Sequence, residues 1–272
     1  MYAVILAGGS GSRLRPLRAT NDALAFREMP DGRTLLQQTA ERIGSLVKPW
    51  DVVVVTNRRH GQLVREQLPE ARIIPQPMNR GTAAALTLAL VSVARSESEP
   101  MVVICADHEV EHPERVSEVV AIAGDGIVGG GARVERRLIA FAVRPTAPDR
   151  ELTYLQPRYD DGVRIDGLRV YPVGSVEPKP DNGRARQLYE SGTTYWSSGI
   201  FVWQRAAISD AIERYTPLFT LLRPAERSEV ALEAAYDRLQ PLSIEEAVLV
   251  GAARDGLVVT APIDIGWREL SA

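Results

Sequence analysis

The first stretch of the chain able to do chemistry is Leu6-Ala7-Gly8-Gly9-Ser10-Gly11-Ser12-Arg13, an apolar run that breaks into glycines and ends on a guanidinium. Glycines at 8, 9 and 11 let bare backbone N–H groups approach a ligand closely. Consecutive N–H groups in such a turn form a concavity that binds anions. Arg13 adds a fixed charge with several donors, suited to phosphate oxygens. The expected ligand is a polyphosphate, and hence a nucleotide. The loop lacks the Gly-Lys-Ser/Thr ending of a P-loop, and Leu14 stands where G-x-G-x-x-G needs its third glycine. Taken by itself, it also reads as a tight strand-to-helix turn with no ligand.

Such a loop has to be held at a sheet edge, and the flanking sequence supplies one. Residues 52–56 and 101–105 are continuous apolar, mostly β-branched runs, the pattern of strands covered on both faces. Between them, residues 82–95 are rich in Ala and Leu and read as a helix. Residues 34–47 read as an amphipathic helix, with Leu35, Leu36, Thr39, Ile43, Leu46 and Val47 on one face. This alternation predicts a Rossmann-like α/β fold: a mostly parallel central sheet flanked by helices, with right-handed crossovers and ligands beyond the carboxyl ends of the strands. Further on, residues 137–144 and 168–177 read as strands, and 181–191 and 205–215 as helices. Residues 243–255 read as another helix, with Ser243 as N-cap and Glu245 and Glu246 in its first turn. Residues 124–131 are glycine-rich and read as a loop. With no repeat and no linker in view, a single domain over 1–272 is expected.

The formal charge of −3 gives no electrostatic case for nucleic acid or an anionic membrane as partner. Cys105 is the only cysteine, so no intrachain disulfide can form and a reducing compartment fits. The N-terminus has no basic region, and its apolar run over residues 3–7 is too short for a signal peptide. No apolar stretch approaches the ~18 residues of a membrane span. A cytoplasmic location is expected. Of the 32 basic residues only Lys48 and Lys179 are lysines, so any mechanism that needs one has two candidates.

Seven segments in order resemble the sugar-1-phosphate nucleotidyltransferases, and among them the bacterial mannose-1-phosphate guanylyltransferase branch. Residues 6–17 resemble the family's LAGGxGTRLxPL signature, with Ser12 for Thr. Gln76-Pro77-Met78-Asn79-Arg80-Gly81-Thr82-Ala83 is similar to its nucleotide-base segment, and Ala106-Asp107-His108 to its ADH motif. Arg144-Pro145-Thr146 resembles RPT, and Val176-Glu177-Pro178-Lys179-Pro180 resembles VEKP with one inserted proline. Residues 196–202 resemble WNSGIFV, and residues 263–269 the terminal ADFGWSD. The chain stops where the family's catalytic domain ends, so the resemblance implies no C-terminal β-helix or cupin-like extension.

The resemblance implies attack of a sugar-phosphate oxygen on the α-phosphorus of a nucleoside triphosphate, with release of pyrophosphate. The branch implies GTP as donor and mannose-1-phosphate, or a related or modified sugar phosphate, as acceptor. Such a site needs charge neutralisation and in-line positioning rather than a strong base, and Mg2+ held by one or two carboxylates. The implied donor-side residues are Leu6, Ala7, Gly8, Gly9, Ser10, Gly11, Ser12, Arg13, Gln76, Gly81, Thr82 and Asp107. Glu151, Thr153, Glu177, Lys179 and Ser197 would face the acceptor. Asp107 and Glu269 would hold the metal, and Arg13, Asp107 and Lys179 would act in catalysis. By residue type alone, Asp107 is equally a helix N-cap or loop acid, Glu269 a solvated residue, and Lys179 an exposed loop lysine. His60, His108 and His112 form no metal constellation, and His108 reads as a structural hydrogen-bonder. The fold implied also allows a homodimer.

Three departures fall in the site. The family's PKQF lysine aligns with Leu24, leaving Arg15, Arg18 or Arg27 to supply the charge. Glu151 and Thr153 stand where TGYGYI has glycines, and Ser197 replaces the asparagine of WNSG. An alternative follows from them: a catalytically weakened or inactive relative that binds a nucleotide or nucleotide sugar as a regulatory or partner subunit.

Overall fold

A computed structural model of the chain describes residues 1–9, 24–129 and 136–270. Its strands are β1 (Tyr2–Ala7), β2 (Val52–Asn57), β3 (Arg72–Gln76), β4 (Pro100–Cys105), β5 (His108–Val110), β6 (Leu138–Val143), β7 (Thr153–Pro157), β8 (Val163–Ile165), β9 (Leu168–Pro178), β10 (Tyr195–Gln204), β11 (Val258–Pro262) and β12 (Trp267–Glu269). Its helices are α1 (Leu35–Glu41), α2 (Gly61–Gln67), α3 (Gly81–Ser92), α4 (Pro113–Val128), α5 (Asn182–Glu190), α6 (Arg205–Tyr215), α7 (Leu218–Leu222), α8 (Glu229–Asp237) and α9 (Val250–Arg254). A π-helical turn, Glu245–Leu249, leads into α9.

Among the described residues ten strands form one sheet in the order β3-β2-β1-β4-β10-β6-β11-β9-β7, with β8 beside β9. Parallel pairing joins β3, β2, β1 and β4, and again β6 and β11. Strands β10 and β9 pair antiparallel with every neighbour. Only these two therefore oppose the common direction, and the sheet is mixed: parallel over β3-β2-β1-β4, as expected, and antiparallel wherever β9 or β10 pairs. Side chains alternate across it. Tyr2, Val4 and Leu6 enter a core shared with α3, α6, α7 and α8, while Ala3, Ile5 and Ala7 enter a second core shared with α1 and α4. With a helical layer on each face, the central strands are apolar throughout, which is why they read as continuous runs.

Two elements differ from the sequence reading. Helix α1 starts at its Thr34 capping box but ends at Glu41 rather than running to 47. Beyond it Ile43, Gly44 and Leu46 make three-residue turns, as a glycine in the path weakens the α-helix. Ile43 and Val47 still reach the core. Gly124 and Gly126 lie inside α4 instead of a loop. The buried stripe of Val116, Val120, Ala123 and Ile127 on that helix outweighs their poor propensity.

A second, two-stranded ladder sits beyond the end of β4. There β5 pairs with β12, bringing Glu269 opposite His108, Arg268 opposite Glu109 and Trp267 opposite Val110. Backbone bonds from Glu111 and His112 to Ile265 and Gly266 stitch the turn before β12 to the start of α4. Among the described residues no helix is long and apolar enough to cross a membrane.

Candidate active site

The strand order reverses at β1: β2 and β3 lie to one side and β4 to the other. A crevice opens beyond the carboxyl ends of two strands at such a point. Gly8 and Gly9 follow β1 directly and Asp107 follows β4, so both flank it. A cleft of about 570 Å3 lies there. Of the expected donor-side residues, Leu6, Gly8, Gly9, Gln76, Gly81, Thr82 and Asp107 line it; Glu151 and Lys179 line it from the acceptor side. Ala7 is buried at the end of β1 and faces the core instead. Ser10, Gly11, Ser12 and Arg13 lie outside the described residues, as do Arg15 and Arg18. Arg27 is exposed and is absent from the cleft lining.

The side of the cleft expected to take the donor is built by close packing at strand ends. Gln76, the last residue of β3, is only 1% exposed, and its amide rests against Gly8, where any Cβ would collide with Gln76 Nε2. Its Oε1 is buried without a hydrogen-bond partner among the described residues. A buried acceptor with no donor calls for a ligand or water. Gly81 opens α3 at φ +81°, and its missing side chain lets the Leu242 carbonyl pack on it. That carbonyl accepts from Ala83 N (3.2 Å), while the Thr82 hydroxyl accepts from Ile244 N (2.8 Å) and keeps its own proton to donate. Asp107 Oδ1 is likewise buried and without a hydrogen-bond partner, lying 3.4 Å from His108 Nε2. Asp107 Oδ2 faces Gly9.

The side expected to take the acceptor departs from simple expectation. Lys179 sits between two prolines in the left-handed region, at φ +44°. It is 44% exposed, and its Nζ donates to both oxygens of Glu246 at 3.4 Å. Glu246 in turn closes a capping box with Ser243: Ser243 N donates to Oε2 (2.9 Å) and Glu246 N to Ser243 Oγ (3.1 Å). Burial works to raise the Glu246 pKa, but the Ser243 backbone N–H and the Lys179 charge outweigh it and hold the carboxyl below its ordinary value. Ser197 is buried and donates to Glu245 Oε1 at 2.9 Å. Glu177 is bound by Arg184, through Nε at 2.7 Å and through Nη2. The Arg184 hydrogen bonds lower its pKa. Thr153 pairs with Pro178 in the β7–β9 ladder. Thr153, Glu177, Ser197 and Glu269 thus stand around the cleft without lining it.

Residues missed in the sequence complete the cleft: Asn79, Ala85 and Cys105 from its floor, and Pro241, Leu242 and Ser243 from the segment before the π-helical turn. The Ser243-x-x-Glu246 spacing marks a helix start, but nothing local ties Glu246 to Lys179. Leu24 also lines the cleft, in a 3-10 turn with Ala25 and Phe26, and is 8% exposed. Ala25 points into the core while Leu24 faces the site.

Among the described residues no cluster of three or more His, Cys, Asp or Glu could hold a metal ion. Asp107 Oδ1, buried and without a hydrogen-bond partner among the described residues, suits a cation that takes few protein ligands, as magnesium does through one or two carboxylates plus phosphate oxygens and water. The ladder sets Glu269 opposite the next residue, His108, but outside the cleft lining.

Comparison with known proteins agrees with this geometry. The family model described as Nucleotidyl transferase matches residues 2–234. The alginate biosynthesis protein AlgA of Pseudomonas fluorescens is 31% identical over 285 residues, covering 99% of this chain and 56% of that protein. Mannose-1-phosphate guanylyltransferase of Escherichia coli K12 is 29% identical, covering 100% of this chain and 58% of that protein. The chain therefore spans little more than half the length of these relatives. A Thermus thermophilus structure, described as mannose-1-phosphate geranyltransferase, has a TM-score of 0.80 at 26% identity over 99% of this chain and 76% of that one. UDP-glucose pyrophosphorylase complexed with UDP-glucose shares the fold, with a TM-score of 0.64 at 14% identity over 100% of this chain and 94% of that one. A glycine turn after β1, a carboxylate after β4 and a family match across most of the sequence agree, and this chain belongs to the nucleotidyl transferase family.

Proposed function

We propose that this chain transfers a nucleoside monophosphate from a nucleoside triphosphate, GTP, to a sugar-1-phosphate, mannose-1-phosphate or a related acceptor, and releases pyrophosphate. The observation that carries the reading is one cleft of about 570 Å3 lined by donor-side residues, Gly8, Gly9, Gln76 and Thr82, and by the acceptor-side Lys179. The names of the relatives supply guanylyl and mannose. The attacking acceptor oxygen is already anionic, so it bonds to the α-phosphorus as the bridge to the β-phosphate breaks, and no proton need be removed. Gln76 Oε1 would accept from an N–H of the base, and the Thr82 hydroxyl would donate to the nucleotide. Lys179 would turn from Glu246 to the acceptor phosphate. Asp107 and Glu269 would hold Mg2+, which when bound neutralises phosphate charge. A cytoplasmic setting suits a chain with a single cysteine.

Leu24 in the cleft lining favours a second reading, a relative that binds nucleotide without turnover. A coupled pyrophosphate-release screen of nucleoside triphosphates against sugar phosphates with Mg2+ separates the two. Turnover with GTP and mannose-1-phosphate is expected. No turnover with any pair, beside calorimetric nucleotide binding, overturns the enzyme in favour of the second reading.

A further inference from the structure

We propose that Glu151 sets the charge selectivity of the acceptor side, favouring a sugar phosphate that carries a cationic amino substituent and disfavouring one that carries a carboxylate. The inference rests on the transferase reading and narrows its acceptor. Glu151 lines the cleft, and among the described lining residues the charged ones are Asp107, Glu151 and Lys179. Its place is fixed by the backbone around it. Leu152 is buried in the core, and its carbonyl accepts from Lys179 N at 3.3 Å. Thr153 pairs with Pro178 in the next step of the β7–β9 ladder. Glu151 and Lys179 therefore emerge at the same end of two neighbouring strands. On the side away from the ladder, Glu151 N donates to Asp149 Oδ1 at 2.7 Å, and Asp149 N donates to the hydroxyl of the buried Tyr154 at 2.9 Å.

Electrostatics then decide what such a wall accepts. A nucleoside triphosphate and a sugar phosphate are both anions, so a carboxylate in their cleft opposes binding unless the sugar brings a positive charge. In the proposed reaction Lys179 meets the acceptor phosphate, and Glu151 is left to meet the rest of the acceptor. Arg150 Nε holds Glu151 Oε1 at 3.1 Å, but the two side chains are 63% and 46% exposed. An ion pair so open to solvent is weak, and a substrate ammonium can replace it. A second negative charge on the sugar meets Glu151 as repulsion, and repulsion of the wrong partner is a direct source of specificity.

The test compares pyrophosphate release at neutral pH with GTP, Mg2+ and four acceptors: mannose-1-phosphate, its 2-amino and 6-amino derivatives, and mannuronate-1-phosphate. Relative to mannose-1-phosphate, kcat/KM should be about fivefold higher for at least one amino sugar and about fivefold lower for mannuronate, the scale of an exposed ion pair. Glu151→Gln should bring both ratios close to one, and Glu151→Lys should invert them. A merely structural role would lower all four values together and leave the ratios alone. Ratios that Glu151→Gln leaves unchanged, or a wild type that treats the four acceptors alike, overturn the proposal. Should neither variant fold, the wild-type ratios decide: they should shrink towards one at high salt, and ratios unmoved by salt overturn the proposal. Release with none of the four acceptors overturns the transferase reading itself, whereas release without charge discrimination overturns this inference alone.

Discussion

Replacing Leu24 by lysine tests whether a missing charge limits the proposed transfer reaction. Leu24 lies in the 3-10 turn over the cleft, 8% exposed, among residues expected to hold the nucleotide. Removing one preorganised donor from a charged transition state costs about 2.7–4 kcal/mol. A lysine grafted without its own supporting contacts should regain only part of that, roughly 1.4 kcal/mol, which is about tenfold in kcat. The change also has a folding cost. Burying a leucine side chain contributes about 1.5–3 kcal/mol, but a lysine stem can keep most of its methylenes covered while Nζ reaches the cleft. A net loss of about 1 kcal/mol, or roughly 2–4 °C in Tm, is expected. Pyrophosphate release under saturating substrates measures kcat, thermal denaturation reports folding, and Leu24→Met controls for shape without charge. A Leu24→Lys protein that folds, binds nucleotide like wild type and turns over within twofold of it would refute the reasoning.

Other perturbations follow from the same geometry. Glu246→Gln keeps the Ser243 capping box, since glutamine serves there too, but frees Lys179; at 3.4 Å and half exposure the lost ion pair is worth roughly 0.5–1 kcal/mol, so KM for the sugar phosphate should fall about two- to fivefold in steady-state kinetics. Gly81→Ala forces an L-residue to φ +81° against the Leu242 backbone; the left-handed conformation alone costs about 1–2 kcal/mol, so with the backbone displaced as well the loss in urea unfolding should exceed that, and KM for the nucleotide should rise. Glu177 has its pKa lowered in the fold by Arg184, so its stabilisation is complete above the unfolded value near 4.3 and is lost as pH falls through the lower folded value. Glu177→Gln should therefore flatten the drop in Tm on acidification below about pH 4.3, and an unchanged profile counts against the pair.

What could be read in the sequence, and what could not, divides by chain distance. Gly8 after β1 and Asp107 after β4 were legible because each follows a buried run, and a parallel sheet delivers the ends of its strands to one crevice. Gln76 ends the partly exposed β3 and was legible only through the family resemblance. Local grammar was legible too: Ser243 caps the helix it was expected to cap, with Glu246 returning the bond. Hidden were the second allegiances of those residues. The capping glutamate also neutralises a lysine 67 residues away, and the carbonyl of Leu242 seats on Gly81 across the cleft. Both contacts are made by backbone or by the far end of a side chain, which hydrophobic period and motif spacing do not encode. Glu177 shows the converse. A position read as facing a sugar is claimed by Arg184 from the first turn of α5, because Asp181 caps that helix and aims the guanidinium back at β9. Residues 241–246 thus join Thr82 on one side of the cleft to Lys179 and Ser197 on the other strands.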